Sequence, residues 1–169
     1  AHSPHLSNLE SLDLPYAGLS PESIEAIANS SHLSNLRRLN LSSGIFASNG
    51  DQREDIWPAG MHLLANATHL DHLTELLLDQ NNLERASIEI LASAPFFSRL
   101  RRLSIANNSP GQEGYRALAE SPHMAQLEAL CISHHAIIGR GASERLARSP
   151  NLAHCKFVKT MPPVHAVVP

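Results

Sequence analysis

Eleven histidines and two cysteines are the residues of this chain with the widest chemical repertoire. Imidazoles and thiolates can ligate zinc or, as a thiol beside a base, carry covalent catalysis. Zinc asks for three or four ligands converging on one point. His5, His32, His69 and His123 instead recur at one position of a repeated segment. Each follows a helix there, where an imidazole can hydrogen-bond the last carbonyls. His69 and His72 form an i, i+3 pair, and His134 and His135 fall in a loop. Cys131 has His134 three residues on, but nothing places a base on its thiol. An open sheet face is also a poor place to exclude water. No catalytic, cofactor-binding or metal-binding residue is therefore assigned, and the chain is not expected to be an enzyme. Cys131 and Cys155 are too few for a disulfide framework, which favours a reducing compartment.

The elements that hold these residues come from an internal repeat. PHLSNLESLDL at 4–14 returns as SHLSNLRRLNL, THLDHLTELLL, PFFSRLRRLSI and PHMAQLEALCI, and in weakened form as PNLAHCKFVKT at 150–160. The first apolar anchors, Leu6, Leu33, Leu70, Phe97, Met124 and Leu152, are separated by 27, 37, 27, 27 and 28 residues. A second block, seen as IEAIANS, MHLLANA, IEILASA, YRALAES and SERLARS, lies ahead of each following anchor. The L-x-L that ends the first block alternates with period two and predicts a short strand with one buried face. The second block has helical spacing, as in Ile24, Ile27 and Ala28. Ser20-Pro21 supplies a cap followed by proline at the first helical position, and Pro58 stands in the equivalent place. One strand and one helix cannot bury their apolar faces alone, so neighbouring units must stack on a common core.

With LTELLLDQNNL at 73–83 matching L-x-x-L-x-L-x-x-N-x-L, the chain resembles the leucine-rich-repeat family, in its ribonuclease-inhibitor-like subclass. The resemblance covers residues 3–160, and the pairing of ALA with SPHL is similar to repeats of large bacterial proteins. It implies an α/β fold: a right-handed solenoid forming a horseshoe arc, with parallel strands on the concave side and helices on the convex side. A single domain over 1–169 is expected, with repeats starting near 3, 30, 67, 94 and 121 and a partial sixth near 149. An insertion over 43–57 and a tail over 160–169 complete it. The family's inward Asn is Asn81 and Asn108 here, but Ala17, Gly44 and His135 elsewhere, so the turns are expected to differ. Because the chain starts with Ala inside a repeat, it reads as a processed or excised piece of something longer.

Alternation sorts the strand residues. Leu12 and Leu14 are expected to face the core, leaving three columns pointing outward. The first is Ser11, Arg38, Glu75, Arg102, Ala129 and Phe157. The second is Asp13, Asn40, Leu77, Ser104, Cys131 and Lys159. The third is Pro15, Ser42, Asp79, Ala106, Ser133 and Met161. Arg38, Glu75 and Arg102 alternate in sign and suit either cross-strand pairing or a polar recognition patch. Leu77 is expected to be an exposed contact residue, with Asp79 beside it. In the insertion, Trp57 reads as packing on the helix start, whereas Phe46 and the charged tip are contact candidates.

Thirteen Lys and Arg against sixteen Asp and Glu leave a net charge of −3, which favours neither nucleic acid nor an anionic membrane. No apolar run approaches a membrane span. Four N-x-S/T sequons, at Asn29, Asn40, Asn66 and Asn107, carry little weight in a chain so rich in Asn and Ser. The expected function is protein–protein interaction through the concave sheet and the 43–57 loop, with Arg38, Glu75, Leu77, Asp79, Arg102 and Phe46 as partner-binding residues and no cofactor. The alternative is a regulator of an enzyme, of the GTPase-activating or inhibitor type. Self-association through an open edge strand is a further expected contact. The expected location is cytoplasmic, with secretion left open.

Overall fold

A computed structural model describes residues 3–43, 56–132 and 140–158. Six three-residue strands alternate with five helices: β1 (Ser11–Asp13), α1 (Pro21–Ala28), β2 (Arg38–Asn40), α2 (Trp57–Ala65), β3 (Glu75–Leu77), α3 (Arg85–Ser93), β4 (Arg102–Ser104), α4 (Gly111–Glu120), β5 (Ala129–Cys131), α5 (Arg140–Arg148) and β6 (Lys156–Val158). The strands form one parallel sheet in chain order, β1 to β6. Parallel neighbours need a long crossover, and the helix of each unit supplies it. Short 3-10 turns, such as Ser31–Leu33 and Pro122–Met124, lead from helices towards strands.

The central residue of each strand points to the core. Leu39, Leu76, Leu103 and Leu130 are fully buried, whereas Leu12 in the first strand is partly buried. From the helix side Ile24, Met61, Ile88, Leu91 and Leu118 meet them, and the anchors Leu33, Leu70, Phe97 and Met124 close the layer between. Ser20 and Ser23 form a capping box at the start of α1, with Pro21 at its first position. Trp57 opens α2 and is fully buried, as its place beside the helix proline suggested.

Two polar ladders hold successive units at fixed spacing. Asn108 donates to the carbonyls of Leu78 and Ile105 at 2.8 and 2.9 Å and accepts from the amides of Asn81 and Leu83 at 3.0 and 2.9 Å. Asn81 reaches back to the Leu41 carbonyl at 2.9 Å. These buried amides satisfy turn backbone that water cannot reach. On the other side, the Ser121 and Ser149 hydroxyls donate to the carbonyls of Ala92 and Ala119 in the preceding helices.

Every described turn from strand towards helix bends through the same left-handed residue: Tyr16, Ser43, Gln80 and Asn107 have φ of 61, 55, 57 and 55°. Repetition of this conformation in residues other than glycine indicates that the surrounding ladder imposes it.

The sixth strand departs from the expected register. Lys156 pairs with Ala129 and Phe157 with Leu130, so Phe157 occupies the core-facing row and not an outward column. Lys159, expected in the second column, lies outside the described residues. The 3-10 turn Pro150–Leu152 follows its predecessor by one residue more than the strand does. That difference shortens the approach to β6, and a slip of one residue exchanges the two faces.

Candidate functional site

The register assembles the outward columns. Ser11, Arg38, Glu75, Arg102 and Ala129 pair in sequence across five strands, and Asp13, Asn40, Leu77, Ser104 and Cys131 form the row beside them. Asp79 follows β3 and rises beside the second row. Five of the six expected partner-binding residues, Arg38, Glu75, Leu77, Asp79 and Arg102, therefore share one face. Phe46 lies outside the described residues, as do 44–55 of the insertion.

Charge on this face is organised as a chain of ion pairs. Arg38 is bound through Nη1 to Oε1 of Glu75 and lies 3.3 Å through Nη2 from Oδ1 of Asp13. Arg102 stands 3.6 Å from the other Glu75 oxygen. The side chains of Glu75 and Arg38 are only 7% and 13% exposed, so these are desolvated charges held by opposite neighbours and not free surface groups. Cross-strand pairing thus accounts for the alternating signs. Burial acts to raise the Asp13 pKa, but the Asn40 hydrogen bond and the Arg38 charge hold it below the ordinary carboxylate value. Asp13 was not singled out from the sequence. Its diagonal position to Arg38 across a parallel pair was the available signal.

Leu77 corrects an expectation. It lies in the outward row between Asn40 and Ser104, yet it is only 6% exposed. A side chain in the middle of a sheet has neighbours on both adjoining strands and two residues away along its own. Strands about 4.8 Å apart leave little room for water between them. Glu75 and Cys131, at 5% and 1% exposed, are buried on this face for the same reason.

Asp79 behaves unlike Glu75. Its Oδ1 accepts from the Ser104 hydroxyl at 2.5 Å and from the Ala106 amide at 2.7 Å. Its backbone amide donates to the Ser42 hydroxyl at 3.1 Å. Burial raises the carboxyl above its usual pKa, and the Ser104 and Ala106 hydrogen bonds only partly oppose this. Burial likewise pushes the Cys131 thiol up against a hydrogen bond with Ser104, and the Asp79 charge pushes it further. No protein-family profile matches the chain, and no curated protein matches it. What this face does has to be read from its own chemistry.

The face carries hydrogen-bonding groups and paired charges. A buried thiol with a raised pKa is a weak nucleophile. Among the described residues no three His, Cys, Asp or Glu side chains are grouped closely enough to hold a metal ion. Across the molecule, a depression of about 380 Å³ between α4 and α5 is lined by Glu120, Glu144, Arg145 and Arg148 among others and includes none of the expected site residues. No helix of the described residues is long and apolar enough to cross a membrane.

Proposed function

We propose that the chain is a leucine-rich-repeat module of the ribonuclease-inhibitor-like type, a solenoid whose concave sheet face binds another protein. The observation that carries this reading is the common register of the outward rows. It sets Asn40, Ser42, Asp79, Ser104 and Arg102 side by side on a rigid sheet, where polar groups can be matched by a complementary surface. The ion-paired row of Asp13, Arg38, Glu75 and Arg102 keeps that surface soluble and preorganised. The insertion at 43–57, with Phe46, adjoins the end of β2 in sequence and supplies a second contact.

Photo-crosslinking tests the reading. A crosslinkable residue at Asn40 or Ser42 should trap a discrete partner, whereas the same residue at Glu89 or Arg116 on the helices should not. Partner capture from the helix positions alone would refute it. Deletion of 45–54 should preserve the fold by circular dichroism and weaken the captured complex.

A further inference from the structure

The sheet face holds two substantially buried carboxylates, and they are not treated alike. Glu75 is compensated by Arg38 on one oxygen and Arg102 on the other. Asp79 is half-buried, and among the described residues no Lys, Arg or His forms an ion pair with it. Both described hydrogen bonds to its carboxylate, from Ser104 and Ala106, fall on the same oxygen, Oδ1. A desolvated carboxylate held by neutral donors alone is under-compensated, and a cation brought to its second oxygen would gain more there than at a wet surface.

We propose that Asp79 is the anchor for a basic side chain, lysine or arginine, of the protein that this face binds. The inference rests on the binding reading above and gives the partner a chemistry. Ser42, Ser104 and Ala106 hydrogen-bond the anchor residue, and Leu77 and Cys131 lie in the outward row beside it. Leu77 and Cys131 exclude water from the sheet beneath it, which keeps the local dielectric low. The hydroxyl of Ser104 and the amide of Ala106 fix the carboxylate before any visitor arrives. The raised carboxyl pKa agrees with a site that lacks its cation. The other titratable or charged groups on the neighbouring strands are Arg38 on β2, which is paired with Glu75 and Asp13, Glu75 on β3, Arg102 on β4 and Cys131 on β5. Glu75 and Arg102 are paired with each other, and the Cys131 thiol is neutral at pH 7 because its pKa is raised.

The test uses the whole chain with carbon-13-labelled aspartate carboxyls and a capped hexa-arginine peptide as probe. Saturation with the peptide should lower the Asp79 titration midpoint, and a hexa-glutamate peptide should not. Asp79→Asn should weaken hexa-arginine binding by about tenfold. Asp71→Asn, which removes the same charge from an exposed turn residue, should bind like the parent. An unmoved Asp79 midpoint, or equal losses in the two variants, would overturn the assignment. If Asp79 fails this test while Asn40 and Ser42 still crosslink a partner, only the anchor is lost. If those crosslinks fail, the binding face falls with it.

Discussion

Glu75 and Asp79 lie four residues apart on one sheet, and the difference between them gives a pH prediction. Folding raises the Asp79 pKa above the ordinary 3.8 because burial outweighs two hydrogen bonds. The folded chain therefore holds this proton more tightly than the unfolded chain. Its contribution to stability is greatest at low pH and falls as pH rises through the interval from 3.8 to the higher folded value. Asp79→Asn, which keeps an acceptor for Ser104 and Ala106, should accordingly be more stable than the parent at neutral pH. The advantage should shrink as pH falls towards 3.8, as followed by urea denaturation in a pH series. Equal stability at all pH values would show that the carboxylate is not strained by burial. Leu77 gives a second prediction at this scale. Because it is buried and not exposed, Leu77→Ala should cost about 2 kcal/mol of stability. A thermal midpoint unchanged from the parent would contradict its burial.

At the scale of the element, a column of small residues runs along the helices, and at Gly60 and Gly114 it lies against the preceding helix. Gly60, Ser87, Gly114 and Gly141 occupy one repeat position near the helix starts. A Cβ on Gly114 would come within 2.8 Å of the Pro110 side chain and 3.5 Å of Ile88 in the preceding helix. A Cβ on Gly141 would meet nothing within 4 Å. Gly114→Ala should therefore destabilise the chain by about 1 to 3 kcal/mol through overpacking. Gly141→Ala should stabilise it by about 0.5 to 1 kcal/mol through helix propensity. Paired denaturation curves decide the matter, and the same sign for both would remove the packing explanation. Ser87 is fully buried, and its hydroxyl finds no hydrogen-bond partner among the described residues. Ser87→Ala should be neutral or stabilising by about 1 kcal/mol, because it removes a desolvated hydroxyl without opening a cavity. These three positions look alike in the repeat, and only the atoms packed around each one distinguish them.

Across the whole molecule, burial differs between inner and outer strands of the sheet. Leu12 and Leu76 hold the same place in their strands, yet Leu76 is fully buried between two units while Leu12 has a unit on one side. In stacked units each interface contributes separately. Leu76→Ala should cost about 3 to 5 kcal/mol and Leu12→Ala clearly less. Equal costs, measured by urea denaturation, would mean that the first strand is covered as completely as the inner ones. Phe157, in the same row of the last described strand, is 45% exposed.

Much of this architecture was legible before any coordinates. A leucine every second residue can bury only one strand face, and a recurring strand-and-helix unit places successive strands beside one another. The alternation of strand and helix, the inner face of the first five strands and the shared row of Arg38, Glu75 and Arg102 all follow from those two facts. The Asn81 and Asn108 ladder was also visible, since a buried amide at that turn has a definite task. Tertiary structure alone decided how deep each outward side chain lies, because burial depends on neighbours brought from 27 or 37 residues away. It made Leu77 a buried residue, turned three charges into a paired chain with Asp13 at its end, and left Asp79 without an ion pair among the described residues. It also set the register of β6, where one residue fewer before the strand put Phe157 on the inner face. Periodicity specifies direction, but solvent access is a property of the assembled surface.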